Sequence, residues 1–441
     1  MNILILGSGG REHALTWKIR QSAHCEQLYL APGNAGTARI AHNVSLFSGD
    51  YNQQAFEQIA TFVLDKNVQL LVVGPEAPLV AGIRDYFSQR DDLQDVLVVG
   101  PDRAGAQLEG SKHHAKAFMQ RHNIPTAASR TFTANELEAG FAYLNNLSLP
   151  IVLKADGLAA GKGVIICEQH DEAQRHLRDM LEHRRFGAAS EKVVIEEFLS
   201  GIELSVFVLT DGKHYRMLPE AKDYKRIGAG DTGPNTGGMG AVSPVPFVDA
   251  TFRQKVEERI VRPTVAGLQQ EGIDYRGFLF IGLMNVNGEP YVIEYNVRLG
   301  DPETEAIVPR IESDLVELLS AAANQTLEAA PLRISPQAAA TVVMVAGGYP
   351  GDYQKGVAIS GLPEDNHALV FHAGTRLNNE TVETNGGRVL AVTARGEDIP
   401  AALYRSYDMV QQIHWADHYY RPDIGQDLLP FLQKPVGSNA D

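Results

Sequence analysis

Near the amino terminus, four short apolar runs each end in a turn rich in glycine or proline, and this pattern constrains the fold most strongly. The runs are NILIL, QLYLA, VQLLVVG and VLVVG, separated by polar stretches of helical length, and their turns are GSGG, APGNAG, GPEAPL and GPDRAG. Apolar strands that alternate with helices form parallel sheets. The pattern predicts an α/β fold that begins with a doubly wound parallel sheet over residues 1–103, with its ligand-binding edge at these turns.

The overall composition indicates a soluble protein of several domains that acts on a small molecule. The chain has 441 residues, 44% of them apolar, which is too long for one ordinary core. Its formal charge of −15 argues against a general binder of nucleic acid or of an anionic membrane. Cys25 and Cys167 are too few for a disulfide framework, so we expect a cytoplasmic protein. No secretory signal and no apolar stretch long enough to span a bilayer is evident.

Two further regions follow the first. Residues 104–331 contain strand–turn–strand patterns such as IVLKADGLAAGKGVIIC and KVVIEEFLSGIELSVFVL, and these indicate an α+β region. Residues 332–433 contain AAATVVMVAGG, HALVFHAGT and GGRVLAVTARG, which predict a mainly antiparallel β domain.

The stretch GSGGREH follows the first predicted strand and precedes a predicted helix. Backbone N–H groups at such a helix start favour a phosphate. The dinucleotide fingerprint is incomplete, since Glu12 stands where its third glycine belongs and the second strand ends in Ala31 and Pro32 rather than in an acidic residue. This disfavours NAD binding. Two interpretations of GSGGREH remain, namely a tight turn needed only for packing and a binding site for another anion.

The stretch GLAAGKG resembles a P-loop but does not match one. Only three residues separate Gly157 from Gly161, and Gly163 stands where a Ser or Thr should bind magnesium. Between two predicted strands, it is typical of a flexible hairpin that closes over a polyphosphate. Lys162 and Lys154 would supply positive charge there; the alternative is that both are solvated surface amines.

The stretch VVIEEFLSGIELS predicts a strand, a turn and a strand that carry Glu196, Glu197 and Glu203. These carboxylates are either plain surface or part of a nucleotide site. Adenine needs backbone donors and acceptors, and ribose hydroxyls need a carboxylate. The segment offers both.

The stretch YVIEYNVRLGDPETE interrupts an apolar strand with polar residues two apart. Alternation predicts that Val292, Glu294, Asn296 and Arg298 share one face, opposite the apolar residues between them. A carboxylate and an amide oxygen suit magnesium, and a guanidinium suits a carboxylate or a phosphoryl group. The alternative is a solvent-facing strand with a structural Glu294–Arg298 ion pair. The turn that follows leaves Asp301 and Glu303 beside the arginine.

Residues 222–244, KDYKRIGAGDTGPNTGGMGAVSP, combine a charged cluster with a run of glycine, asparagine and threonine. A loop of this length is usually functional or disordered. Asp223 and Lys225 favour a function.

Taken in order, the motifs LILGSGGREHAL, VGPEAPLVAG, EGSK, LKADGLAAGKGV, EEFLSGIELS, GPNTGGMGA and NVRLGDPETE closely resemble the phosphoribosylamine–glycine ligase family of ATP-grasp enzymes in purine synthesis. The resemblance covers nearly the whole chain. It implies a substrate domain over 1–103, an ATP-grasp domain over 104–331 with a mobile lid at about 124–192, and a carboxy-terminal domain over 332–433.

The resemblance also implies a reaction and its residues. Glycine is joined to 5-phosphoribosylamine with ATP and magnesium, or manganese in its place, through an enzyme-bound glycyl phosphate, in a monomer or weak dimer. The implied ATP contacts are Lys112, Lys154, Gly161, Lys162, Gly163, Glu196, Glu197, Phe198, Leu199 and Glu203. The implied metal ligands are Glu294 and Asn296, and the implied catalytic residues are Arg298, Asp223 and Asp301. The implied substrate contacts are Gly9, Gly10, Asn34, Glu76 and Gly300.

Several positions depart from the commonest family pattern, among them the two histidines of EGSKHHAK, where small or aromatic residues are usual. Tyr224 stands where histidine is frequent, and Thr232 and Glu305 stand where glutamine is frequent. Two alternatives remain in view, namely a different ATP-grasp ligase and a non-catalytic ATP-binding sensor. The first should lack GPNTGGMGA and GSGGREH, and the second should have lost the magnesium and lysine positions.

Overall fold

The computed structural model describes residues 1–158, 163–363 and 369–432. No helix within these ranges is long and apolar enough to cross a membrane. The predicted positions Gly161 and Lys162 lie outside the described residues.

The amino-terminal region is a parallel sheet with helices on both faces, as predicted. Its strands run in the order β3-β2-β1-β4-β5, and their apolar side chains contribute to two cores on opposite faces. The strands are β1 Asn2–Gly7, β2 Gln27–Pro32, β3 His42–Asn43, β4 Val68–Val73 and β5 Leu97–Pro101. The helices are α1 Gly10–Ile19, α2 Gln53–Asp65, α3 Glu76–Ala81, α4 Ile83–Ser88 and α5 Arg103–Gly110.

The next segment forms a small antiparallel sheet in the order β6-β9-β7-β8, with a core of its own beneath two helices. Its strands are β6 Ser129–Thr133, β7 Ile151–Ala155, β8 Val164–Cys167 and β9 Lys192–Glu197. The helices of this segment are α6 Lys112–Arg121, which leads into it, α7 Leu137–Asn145 and α8 His170–Leu181. The segment overlaps residues 124–192, which the resemblance implies to be a mobile lid, and we call it the lid; its mobility stays a prediction.

The central region continues the amino-terminal sheet rather than forming a separate one. Its strands are β10 Ile202–Thr210, β11 Tyr215–Met217, β12 Lys222–Asp223, β13 Arg226–Gly228, β14 Thr232–Asn235, β15 Gly240–Ser243, β16 Tyr275–Val286 and β17 Glu289–Asn296. Its helices are α9 Ala250–Val256, α10 Arg262–Gln270, α11 Glu303–Ile307 and α12 Leu315–Ala323. The long strand β16 pairs with β10 and β17, and its first residues pair with the end of β5.

The carboxy-terminal region is an antiparallel sheet, as predicted, in the order β12-β15-β18-β22-β19. Its remaining elements are β18 Ala338–Val345, β19 Leu369–His372, β20 Thr375–Asn378, β21 Thr381–Thr384, β22 Arg388–Gly396, α13 Ile399–Val410 and α14 Leu429–Leu432. Two of its strands, β12 and β15, come from the glycine-rich stretch 222–244. That stretch is therefore an ordered link between the central and carboxy-terminal regions.

One prediction about β17 is wrong. Glu294 pairs with Gly282 and Val292 with Leu283, so Ile293 is an extra residue in a β-bulge. Because a bulge breaks the alternation of side chains, Val292 is buried in the core with Tyr295 instead of facing the same way as Glu294.

Two glycines allow the sheets to join. A Cβ on Gly277 would lie 2.9 Å from the backbone nitrogen of Gly100. Because neither strand backbone can move without breaking the β5–β16 pairing, we expect Gly277→Ala to lower the free energy of unfolding by about 1–3 kcal/mol in urea titrations. Gly110→Ala, whose Cβ would meet its nearest atoms at 3.4 Å, is the control. Equal stabilities of the two variants would contradict the close approach.

Candidate active site

The polar face of β17 lies where the sheets, the lid and α5 meet. Arg298 Nη2 donates to Glu109 Oε1 at 2.7 Å and to Asn296 Oδ1 at 3.3 Å, and Arg298 Nε is 3.5 Å from Glu76 Oε2. Its ion-pair partners are thus Glu109 and Glu76, rather than the Glu294 of the alternative reading. Glu109 Oε2 also accepts from the backbone N–H of Val297 at 2.8 Å, so one carboxylate fixes both the arginine and its strand.

Glu294 is ionised in this setting. Burial would raise its pKa, but Lys225, Lys154 and Lys112 bring the pKa of the carboxyl below its ordinary value. An ionised carboxylate beside the amide oxygen of Asn296 is a donor set that fits magnesium, which prefers oxygen ligands.

Two buried lysines of the site share one buried carboxylate. Glu196 Oε2 is 3.0 Å from Lys154 Nζ and 3.2 Å from Lys116 Nζ, and all three residues are at most 5% exposed. Lys154 Nζ also donates to the carbonyl of Ile293 at 3.2 Å, so the bulge in β17 supplies an acceptor for it. Burial lowers the pKa of Lys116 to about 8, although Glu196 opposes this.

Lys112 connects the start of α6 to the lid. Its Nζ donates to the carbonyl of Gly157 at 2.9 Å, and burial lowers the pKa of its amine. Asp156 accepts from Ser111 Oγ at 2.9 Å and from the backbone N–H of His113 at 3.1 Å, so it caps the same helix. Gly163 is buried, and its carbonyl accepts from Ala155 N at 2.8 Å.

The predicted adenine segment leaves the lid at the end of β9. Glu196 is turned into the site, whereas Glu197 and Phe198 are exposed and Leu199 is half-buried. The Glu197 carboxylate accepts from Ala128 N at 2.8 Å. The one buried carboxylate of this segment, Glu196, therefore pairs with the lysines.

A second charged cluster lies on β10 and β12. Glu203, predicted to bind ribose, forms an ion pair with Lys225. Burial alone would lower the pKa of Lys225, but the charges of Glu203 and Asp223 raise this pKa well above its usual value. Burial, opposed by Lys225, raises the pKa of Asp223. Burial and then Asp223 raise the pKa of Glu303 to about 7, and Glu303 Oε1 accepts from Ser205 Oγ at 3.0 Å.

The turn after β17 brings in the other two domains. Asp301 Oδ1 is 2.9 Å from Arg388 Nη1 at the start of β22, and Asp301 Oδ2 accepts from Arg11 N at 3.4 Å. Gly300 packs against the Glu303 side chain, since a Cβ there would lie 2.4 Å from Glu303 Oε2.

The predicted substrate contacts in the amino-terminal region differ in whether their polar groups are already hydrogen-bonded within the protein. Gly9 and Gly10 begin α1 close to Asp301, and Glu76 begins α3 beside Arg298. Asn34 is buried, and its side chain donates to Ser8 O and His372 O and accepts from the N–H of Gly36 and Thr37. Both ends of that amide hold the protein together, so a direct substrate contact of Asn34 stays a prediction.

Sequence reasoning missed three residues of the site. Glu109 is the first residue of the EGSK motif, three positions before Lys112, and Lys116 follows Lys112 by four positions; this spacing of about one helical turn could have shown them. Arg388 follows a glycine pair in the carboxy-terminal domain, and no local signal connects it to Asp301.

A lid beside paired sheets, buried lysines, and the carboxylate and amide of Glu294 and Asn296 on β17 together define an ATP-grasp ligase. Family models agree along the chain: the phosphoribosylglycinamide synthetase N domain matches residues 1–109, the ATP-grasp (A) domain 110–304 and the C domain 339–427. The chain therefore belongs to the phosphoribosylglycinamide synthetase family.

Several similar proteins are named phosphoribosylamine–glycine ligase, in agreement with the family models. A phosphoribosylamine–glycine ligase of Pseudomonas aeruginosa is 50% identical over 96% of this chain and 97% of its own length. One from Vibrio cholerae is 48% identical over 96% of this chain and 98% of its own. The crystal structure of a phosphoribosylamine–glycine ligase from Thermotoga maritima has a TM-score of 0.82 and 36% identity, covering 96% of this chain and 100% of that one. Biotin carboxylase from Campylobacter jejuni, at 15% identity and a TM-score of 0.71, shares the fold.

The carboxylate shared by the two buried lysines can be tested by its removal. Glu196→Gln leaves the ammonium groups of Lys116 and Lys154 without their counter-charge, so we expect the free energy of unfolding to fall by about 3 kcal/mol in urea titrations. Glu197→Gln, an exposed neighbour on the same strand, is the control and should change it little. A loss of the same size in both variants would show that Glu196 does not hold the lysines.

Proposed function

We propose that this protein joins glycine to 5-phosphoribosylamine with ATP, forming glycinamide ribonucleotide, ADP and phosphate through glycyl phosphate. The observation that carries the proposal is the polar face of β17, where Glu294, Asn296 and Arg298 lie together beneath the buried lysines. The family to which the chain belongs supplies the identity of the two substrates.

In the first step, a carboxylate oxygen of glycine attacks the γ-phosphorus of ATP, and the bond to the β–γ bridging oxygen breaks to release ADP. Lys112 and Lys154 are positioned for the phosphates, and Arg298 for charge on the transferring phosphoryl group. Such transfer relies on positioning and electrostatic stabilisation, so a nucleophilic side chain is not required. Glu294 and Asn296 would hold magnesium, which when bound neutralises phosphate charge.

In the second step, the amine of phosphoribosylamine attacks the carbonyl carbon of glycyl phosphate. The bond between this carbon and the oxygen that bridges it to phosphorus breaks, and phosphate leaves with one oxygen that came from glycine. Gly9, Gly10 and Glu76, at the starts of two helices, are the contacts we assign to phosphoribosylamine. Asp223 and the turn at Gly300 and Asp301 are those we assign to glycine, where carboxylates suit its ammonium group.

The lid has a chemical purpose in this scheme, because an acyl phosphate exposed to water hydrolyses. Lys112 bonds to the carbonyl of Gly157, and Asp156 caps α6, so the mouth of the glycine-rich stretch is tied to the phosphate-binding helix. Phosphate bound at Lys112 would thereby act on the lid.

The remaining assignments belong to the same proposal. Glu196, Glu197, Phe198 and Leu199 hold adenine, and Glu203 turns from Lys225 to the ribose hydroxyls. Manganese can replace magnesium at the oxygen ligands. We further propose that the enzyme acts in the cytoplasm as a monomer or weak dimer.

The reaction itself is tested with purified protein. We expect ADP release only when ATP, magnesium, glycine and freshly generated phosphoribosylamine are all present, because the phosphoryl acceptor is the glycine carboxylate. ADP release followed by a coupled assay, with each component omitted in turn, measures this. ADP release that does not depend on glycine would refute the proposed reaction.

The metal face is tested by Glu294→Ala, which removes the ionised ligand. We expect kcat/KM to fall by at least about 100-fold with the fold preserved by circular dichroism, and excess magnesium to restore part of it. Glu289→Ala lies on the same strand, where its carboxylate pairs with Lys255 and Arg259. This control should keep full activity. Comparable activity in the two variants would mean that β17 is only structural.

A further inference from the structure

Glu305, at the third position of α11, is a buried carboxyl group that the proposed mechanism does not use. The residue is 0% exposed, and neither carboxyl oxygen has a hydrogen-bond partner among the described residues. It fills the space beside Gly10, since a Cβ on that glycine would lie 2.1 Å from Glu305 Oε1. Burying an ionised carboxylate without a partner is costly, so such a group normally neutralises.

The neighbouring positive charges are already used by other carboxylates. Arg388 bonds to Asp301 at 2.9 Å, and the N–H of Arg11 at the start of α1 donates to the same carboxylate. The Arg11 side chain pairs with Glu12 Oε1 at 2.6 Å. Burial would raise the pKa of Asp301, but Arg388 and Arg11 lower it overall, so Asp301 is the ionised member of the pair.

Glu305 has the opposite surroundings. Burial, and then the charge of Asp301, raise its pKa well above the usual value, and Arg388 and Arg11 offset only part of this. The elements packed against α11 are α1, β15, β18, β22 and the turn Val308–Arg310 that follows it. Helix α1 contributes Arg11 and Glu12, β22 contributes Arg388, and β15 and β18 contain no charged residue. Arg310 in the turn donates to Ser243 Oγ at 2.6 Å and to the carbonyl of Gln337 at 2.8 Å. Two adjacent carboxyl groups that share one set of cations hold one proton between them.

We propose that Glu305 is a positioning residue that carries this proton at neutral pH and thereby keeps the start of α1 fit to bind the phosphate of the amine substrate. With Glu305 neutral, Arg11 and Arg388 balance Glu12 and Asp301. Ionised Glu305 would add an uncompensated negative charge behind Gly10, against the positive end of the helix that favours an anion. The assignment of that phosphate rests on the proposed function; the proton on Glu305 does not.

The proton is tested without any substrate, by unfolding. In the folded state the pKa of Glu305 is raised, so folding binds a proton and the wild-type protein loses stability as pH rises from the unfolded pKa toward the folded one. Glu305→Gln does not titrate. We therefore expect the gap between the two proteins, taken as the free energy of unfolding of Glu305→Gln minus that of the wild type in urea titrations, to increase steadily from about pH 5 to pH 8. A gap that stays constant over this range would overturn the proposal.

Kinetics test the consequence for binding. At alkaline pH we expect the KM for phosphoribosylamine to rise about tenfold in the wild type, as one added charge near an anion site would cause, while the KM for glycine and for ATP change little. Glu305→Gln should keep neutral-pH activity and lose this rise, and the exposed Glu397→Gln should behave as wild type. An unchanged alkaline rise in Glu305→Gln would refute the positioning role even if the unfolding data show the proton.

Discussion

The balance of buried charge is the constraint on which this structure depends. Several cations of the cleft are held by carboxylates: Lys116 and Lys154 share Glu196, Lys225 pairs with Glu203, and Arg298 pairs with Glu109. Removing Glu196 would leave two buried ammonium groups without a counter-charge, which costs several kcal/mol. These pairs fix the positions of the cations, so pre-organisation of the site and stability of the fold come from the same contacts.

The site is assembled from distant parts of the chain because the amino-terminal and central strands share one sheet and the glycine-rich stretch 222–244 joins the carboxy-terminal sheet. Strand β16 pairs with β5 of the amino-terminal sheet and with β17, and β15 belongs to the carboxy-terminal sheet. The turn after β17 then meets both outer domains through Arg11 and Arg388. The sites that we propose for the substrate phosphate, at the start of α1, and for the nucleotide, over β17, thus lie on one framework.

Much of this could be predicted from local patterns, and the rest depended on tertiary contacts. The apolar runs predicted the parallel sheet, and period-two alternation placed Glu294 and Asn296 on one face. The same rule failed for Val292, because a bulge at Ile293 leaves no mark in the residue pattern. Arg388 and Asp301 are far apart in sequence, so their contact could not be read from it. The stretch 222–244 looked like a loop because its strands are only two to four residues long; β12 pairs with β15 and β13 with β14 inside the stretch, and β15 also pairs with the distant β18.

The central claim is that the polar face of β17 directs phosphoryl transfer to the carboxylate of glycine. Glycine labelled with oxygen-18 in its carboxylate tests this most directly, with mass spectrometry of the phosphate released during turnover. Because the carboxylate oxygen becomes the bridging atom of glycyl phosphate, the account predicts one labelled oxygen in each phosphate. Phosphate without label would contradict it, since the γ-phosphoryl group would then have passed to water or to the amine.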